Sequence, residues 1–314
     1  MAKIAIVGSG LIGRAWAGIF ASHGFDVALY DVKREAAEAA KVHIAANLEE
    51  QAAFGLVEDP KGSAARLSVA ADLASALKGA VLAQESGPEN LDAKKALFAE
   101  MDRLAAPETI LASSTSFIMA SRFTEDLKGR GRCLVAHPAN PPHLIPIVEL
   151  APAPWTDAAV VTRAKAIYEE AGQVPITLRK EVPGFVLNRL QAVLLAEAFR
   201  IVGDGIASPE DLDKTIKDGL GLRWSFMGPF ETIELNAPGG IPDYCQRYGA
   251  SIMETASQQT GNSDPFGAAT VSKIMAEWPY PQNAERVAKL SVWRDNRLAA
   301  LQAHKKAAAK KPKI

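Results

Sequence analysis

Cysteine is scarce. The 314 residues hold only Cys133 and Cys245, far apart, so there is no disulfide framework and no cysteine-based metal spacing. That usage fits a reducing cytoplasm. Net charge is nearly absent too, since 35 basic and 36 acidic side chains leave a formal charge of −1. Such a balance gives no reason to expect nucleic acid or an anionic membrane as a partner. No uninterrupted apolar run approaches the roughly 18 residues of a membrane-crossing helix. The chain enters an apolar stretch at once, Lys3-Ile-Ala-Ile-Val7, which leaves no room for a secretory leader. Apolar mass is plentiful: 48% hydrophobic residues can fill a sizeable core, in one large domain or two ordinary ones. The exception is the stretch from Ala303 onward, where five lysines among alanines predict a frayed, solvated tail.

The first motif is Gly8-Ser-Gly-Leu-Ile-Gly13, between a strand over 4–7 and a helix pattern over 14–22. Gly8 permits the tight turn, Gly10 lets a pyrophosphate approach the backbone, and Gly13 lets the helix pack close to the sheet. The helix then offers the phosphates its unpaired N–H groups and the positive end of its dipole. A second strand over 27–30 ends in Asp31, 18 positions after Gly13, near the place of an acid that bonds the adenine-ribose hydroxyls. An acid there repels a 2′-phosphate, so NAD is expected over NADP, although Lys33 and Arg34 just beyond keep NADP open.

Further strands read at 66–69, 80–84, 110–112, 134–136 and 175–178, with helices over 34–51, 71–77 and 91–104. That alternation predicts an α/β fold with a doubly wound sheet, whose strand C-termini gather on one edge. The edge receives the glycine loop, Asp31, the turn Glu85-Ser-Gly-Pro-Glu-Asn90, the hydroxyl run Ser113-Ser-Thr-Ser116, and His137. His137 opens a proline-rich turn and an apolar run that carries one acid, Glu149. A histidine exchanges protons near neutral pH, and a carboxylate on one ring nitrogen fixes which nitrogen holds the proton. The pair therefore reads as a general base and its orienting acid. On spacing alone, a surface histidine and a glutamate at a strand end stay open. No metal is expected, because His143 is the only other histidine nearby and a third ligand is lacking.

Several stretches carry a resemblance. They are the glycine loop with Asp31, the run Glu85-Ser-Gly-Pro-Glu-Asn-Leu-Asp-Ala-Lys94, Ser113-Ser-Thr-Ser-Phe117 with His137-Pro-Ala-Asn-Pro-Pro142, and Val182-Pro-Gly-Phe-Val-Leu-Asn-Arg-Leu190. Together they resemble the 3-hydroxyacyl-CoA dehydrogenase family, closest to its lambda-crystallin and L-gulonate 3-dehydrogenase branch. Arg223-Trp-Ser-Phe-Met-Gly-Pro-Phe-Glu-Thr232 resembles the same branch. The resemblance implies NAD-dependent oxidation of a secondary alcohol. It implies Leu11 and Ile12 in the phosphate loop, Asp31 on the ribose, and Glu89 and Lys94 against NAD near its nicotinamide end. It also implies His137 as the base and Glu149 as its partner. Ser116 and Asn188 would bond the reacting oxygen, with Asn140 in support.

After Pro183-Gly184 the strand signal disappears, and helix patterns read over 186–202, from Ser208-Pro209 onward, and over 229–235, 244–259 and 282–302. The expected organisation is a Rossmann-type NAD-binding domain over 1–182, then an all-helical substrate and dimerisation domain over 183–302, then the basic tail. Apolar residues on more than one face of the 186–202 helix suggest a homodimer.

One departure bears on the substrate. The acyl-CoA enzymes resembled here use basic residues in the arm after the ribose acid to hold CoA phosphates. In this arm, over 35–66, Lys41, Lys61 and Arg66 face Glu35, Glu38, Glu49, Glu50, Glu58 and Asp59. A net negative arm is a poor surface for CoA. A small free 3-hydroxy acid, such as the sugar acid L-gulonate, is expected, with Arg223 beside Trp224 in a loop as the cation for its carboxylate. Alternatives are a 3-hydroxyacyl-CoA such as 3-hydroxybutyryl-CoA, carnitine, and, remotely, a crystallin-like NAD-binding structural protein without activity.

Overall fold

The structure is a computed structural model that describes residues 1–259, 264–278, 280 and 283–309. The chain forms two compact units, Met1–Arg189 with Asn283–Ile314, and Leu190–Gln282. In the first unit the elements are β1 (Lys3–Val7), α1 (Leu11–Ser22), β2 (Asp26–Tyr30), α2 (Arg34–Ala53), α3 (Pro60–Ala65), β3 (Leu67–Val69), α4 (Leu73–Leu77) and β4 (Ala80–Glu85). They continue with α5 (Leu91–Leu104), β5 (Ile110–Ser113), α6 (Ser121–Thr124), β6 (Cys133–Pro138), β7 (Ile147–Pro152), α7 (Ala158–Glu170) and β8 (Val174–Thr177).

One eight-stranded sheet runs in the order β3-β2-β1-β4-β5-β6-β7-β8, and each adjacent pair is parallel except β6 with β7. Its central strands are short apolar runs because helices cover both faces. Successive side chains feed two cores. Ile4 and Ile6 pack with Trp16, Phe20 and Tyr168 on one face, while Ala5 and Val7 pack with Leu77, Phe98 and Met101 on the other. Each fully buried large apolar side chain contributes about 1.5–3 kcal/mol. The strand order turns between β1 and β4, which opens a crevice at their C-terminal ends.

α8 (Leu187–Gly203) leads from the first unit into the second, which holds α9 (Pro209–Lys214), α10 (Gly221–Trp224), α11 (Pro229–Glu234), α12 (Gly240–Gln258) and α13 (Ala268–Glu277). Ser208 accepts a hydrogen bond from the Asp211 N–H at 3.1 Å with Pro209 in the first turn, the helix start its sequence predicts.

Three features differ from the sequence reading. α14 (Ala284–Ala308) groups with the first unit. It carries residues 303–308 of the expected frayed tail as helix, and residues 310–314 lie outside the described residues. The proposed punctuation at Trp278-Pro-Tyr-Pro281 falls partly on residues outside them as well, at 279 and 281. Third, α7 was not anticipated, because its alanines and charges give a weak apolar stripe; only Val160, Ala164 and Tyr168 are buried on it. Among the described residues, no helix is long and apolar enough to cross a membrane.

Candidate active site

The glycine loop is tight within and open without. Gly8 has φ +99°, and a Cβ there would come within 2.8 Å of the Ser86 carbonyl oxygen. A Cβ at Gly13 would overlap the Gly8 carbonyl. Gly10 caps α1 without a side-chain bond, and a Cβ there would meet nothing within 4 Å. Exposed Leu11 and half-buried Ile12 follow in the first turn. Asp31 lies beside the loop. Its Oδ2 accepts from the Ser9 N–H at 2.9 Å and the Ser9 hydroxyl at 2.8 Å, and its Oδ1 accepts from the Lys33 N–H at 3.0 Å. Burial raises the Asp31 pKa, but these hydrogen bonds outweigh it and hold the carboxyl below its usual range. The open ground at Gly10, the helix end and an ionised acid fit a dinucleotide. Gly10, Leu11, Ile12 and Asp31 would hold it, with Gly8 and Gly13 shaping the loop.

The two polar turns lock together. Glu89 Oε1 accepts from the Thr115 hydroxyl at 2.5 Å, the Ser116 N–H at 3.2 Å and the Phe117 N–H at 3.0 Å. It thus positions the hydroxyl run. Lys94 is placed differently from expectation. Its ammonium is 2% exposed and lies 3.0 Å from both oxygens of Glu85, which is itself fully buried. In this structure Lys94 supports the 85–90 turn from within and presents no free ammonium to a cofactor. Glu85 also accepts from the Gly87 N–H at 2.6 Å and the Ser113 hydroxyl at 2.5 Å. The sequence reading missed this role. The clue was a glutamate directly after an apolar strand, a position that demands partners.

The antiparallel pairing of β6 and β7 brings the histidine and the acid together. It sets His137 directly opposite Glu149 in the register, and Nδ1 of His137 lies 2.9 Å from Oε2 of Glu149. Glu149 is 0% exposed and His137 is 4% exposed. The second carboxylate oxygen accepts from the Val186 N–H at 2.8 Å and the Leu187 N–H at 2.9 Å, the unpaired donors at the start of α8. Burial raises the Glu149 pKa, and the bonds from His137, Leu187 and Val186 overcome that, leaving it lowered. The approach to α8 is left-handed at two consecutive residues, Gly184 at φ +75° and Phe185 at φ +50°. The second is unusual for a bulky side chain and costs about 1–3 kcal/mol. Phe185 is fully buried with its ring centroid 5.5 Å from that of His137, so packing holds the turn.

Asn188 follows one residue into α8, and its side-chain amide donates to the Ser116 carbonyl at 3.0 Å. A continuous chain of bonds therefore joins His137, Glu149, the start of α8, Asn188, Ser116 and Glu89. A carboxylate only accepts, so Nδ1 of neutral His137 must carry the proton. Nε2 is then a basic lone pair, with no hydrogen-bond partner among the described residues. Asn140 is exposed on the turn after β6. Arg223 is exposed on α10 of the second unit, in a short helix and not the expected loop.

A Rossmann-type sheet and a dinucleotide cradle, on a chain that also carries a buried histidine–carboxylate pair, define the class: an NAD-dependent oxidoreductase acting on CH–OH groups. The family model for 3-hydroxyacyl-CoA dehydrogenase, NAD binding domain, matches residues 3–182, and that for its C-terminal domain matches 184–280. A lambda-crystallin homolog of Bos taurus is 42% identical over 303 residues, 95% of this chain and 94% of its own. An L-carnitine dehydrogenase of Pseudomonas sp is 38% identical over 253 residues, 79% of this chain and 77% of its own. In structure, 5-formyl-3-hydroxy-2-methylpyridine 4-carboxylic acid 5-dehydrogenase, an NAD+-dependent dismutase, superposes with a TM-score of 0.81 at 27% identity, covering 96% of this chain and 98% of that one. The chain belongs to the 3-hydroxyacyl-CoA dehydrogenase family, and its cofactor is NAD.

Proposed function

We propose that this enzyme oxidises the 3-hydroxyl of a small, free 3-hydroxy acid resembling L-gulonate to the 3-keto acid, with His137 as general base. The observation that carries this reading is the 2.9 Å bond between Nδ1 of His137 and buried Glu149, which leaves Nε2 free to take a proton. When bound, NAD+ supplies the hydride acceptor. The residues of the chain do the rest. Nε2 of His137 takes the proton from the alcohol oxygen. Glu149 stabilises the resulting imidazolium, while Ser116 and Asn188 hold the oxygen in line. In the reverse direction, protonated His137 returns the proton.

The six acids of the arm over 35–66 are all exposed, which supports a free acid over an acyl-CoA. NADH formation with L-gulonate, 3-hydroxybutyrate, carnitine and 3-hydroxybutyryl-CoA at one concentration tests the proposal. The highest kcat/KM on the CoA ester would sink it. Carnitine is the second reading, favoured by the likeness to the Pseudomonas enzyme. Activity with none of them, despite NADH binding, would favour a non-catalytic, crystallin-like role. For the substrate carboxylate we propose Arg223. Arg223→Ala is expected to raise KM at least tenfold, the scale of a lost charge-assisted hydrogen bond, with NADH affinity unchanged. An unchanged KM removes Arg223 from the site.

The proposal extends to a homodimer in the cytoplasm, with the substrate and dimer surfaces on residues 183–302. Leu190, Val193, Phe226, Phe230, Leu235 and Met253 are all exposed, apolar area of the kind that a second copy would cover.

A further inference from the structure

Behind the cofactor crevice lies a polar chain that ends in a single hydroxyl, and its obligate donors set the direction of its hydrogen bonds. Tyr168 is fully buried, and burial pushes its phenol pKa well up, so it stays protonated. Its hydroxyl donates to Oε1 of buried Gln84. Gln84 Nε2 then donates to the Ser114 hydroxyl oxygen at 2.7 Å and to the Ala136 carbonyl at 3.4 Å. The Ala136 contact fixes the amide orientation, because a turned amide would set two carbonyl oxygens together with no proton between them. The Trp16 indole N–H, which can only donate, also reaches Ser114 Oγ, at 3.1 Å.

Ser114 thus receives two obligate donors, which occupy both of its lone pairs. Its one proton must go to the remaining neighbour, Ser86 Oγ, at 3.0 Å. Ser86 is therefore an acceptor in that bond, and its own proton points elsewhere. Among the described residues Ser86 Oγ has no other partner. Ser86 is half-buried and follows β4 directly, on the lip of the crevice where the strand order turns. Its N–H donates to Val7 at 2.8 Å, and its carbonyl is the group that forbids a side chain at Gly8.

We propose that Ser86 binds the cofactor directly. Its hydroxyl proton, aimed outward by Trp16, Gln84 and Ser114, is donated to a phosphate or ribose oxygen of the bound dinucleotide. The bond from Ser114 fills one lone pair of Ser86 and turns its proton away from Ser114, so the hydroxyl stands ready to donate to an acceptor oxygen. The inference rests on the NAD assignment and is independent of the substrate.

The test is NADH titrated by calorimetry into the full-length protein without substrate, with the thermal midpoint of each apo variant alongside. Ser86→Ala and Ser86→Cys are expected to weaken NADH binding roughly tenfold, the cysteine because it keeps the shape but donates poorly. Ser86→Thr keeps the hydroxyl and is expected to retain the wild-type Kd. Trp16→Phe frees one lone pair on Ser114, so the bond to Ser86 can run either way. Halving the outward-pointing population gives a Kd about twofold weaker. Wild-type affinity in Ser86→Cys, or an equal loss in Ser86→Thr and Ser86→Ala, would overturn the donor role whatever the midpoints do. A Trp16→Phe loss as large as that of Ser86→Ala, or none at all, would overturn the orienting role. Any of these results leaves the substrate reading standing, and a wild-type protein that binds no NADH would sink the cofactor assignment itself.

Discussion

His137→Ala is expected to lower kcat by roughly 10²–10⁴, the usual contribution of a positioned base, with NADH affinity within about twofold of wild type. Nδ1 is committed to Glu149, so the ring cannot turn to offer its other nitrogen without abandoning a fully buried carboxylate. The Phe185 ring packs 5.5 Å away and holds the imidazole plane. No other histidine stands in the bonded chain from Glu89 to Glu149 to take over. His137→Gln keeps a polar group but no base and should be as slow. A kcat within tenfold of wild type in either variant, measured by steady-state NADH formation, would remove the base from His137.

Glu149 gives the second large effect, and its two obvious variants separate structure from chemistry. In Glu149→Gln the single side-chain carbonyl is claimed by the Val186 and Leu187 N–H groups, which can only donate. The amide NH₂ must then face His137 Nδ1. That forces Nδ1 to accept and moves the ring proton to Nε2, the nitrogen that must be bare. The fold survives while the base is lost, and kcat should fall on the order of 10³-fold or more, as a wrong tautomer costs in other histidine-dependent enzymes. Glu149→Ala also leaves the two helix donors and the imidazole without a partner. Unsatisfied buried groups cost about 1–3 kcal/mol each, and the midpoint drops about 2–4 °C per kcal/mol in a chain this size.

The pH dependence follows the same carboxyl. Its folded pKa is lowered, so its contribution to stability is complete above the ordinary carboxylate value of 4.5 and is lost as pH falls through the lower folded value. Acid unfolding of the wild type should therefore be steeper in that window than that of Glu149→Gln. Equal acid profiles would mean that the carboxyl is not coupled to folding.

Periodicity made most of the sheet legible. Short apolar runs bounded by glycine and polar turns marked the parallel strands, and α5 began and ended where its pattern predicts, at Leu91 and Leu104. The glycine loop was readable because each glycine answers a steric demand that no other residue meets. His137 and Glu149 were readable as a base and its acid, but not the strand pairing that brings them together. Nothing in a run of prolines announces an antiparallel return. The support behind the site was hidden for a related reason. Glu85, Phe185, Gln84 and Tyr168 look like ordinary strand, turn and helix residues until distant segments meet. A bulky residue with positive φ has no sequence signature at all. Lys94 was the opposite case: the resemblance implied a ligand contact, and burial against Glu85 turned the ammonium inward.

The hand-off from Glu149 to the Val186 and Leu187 amides has a bearing on how this chain can be cut and recombined. The two family models meet between residues 182 and 184, on the near side of those amides. A fragment ending there would keep the dinucleotide cradle and the imidazole, yet its acid would be half unpartnered and free to swing away. The histidine–carboxylate pair is thus completed by the first residues of the next module. A chimaera that borrows its helical half from a relative inherits the donor's grip on that acid.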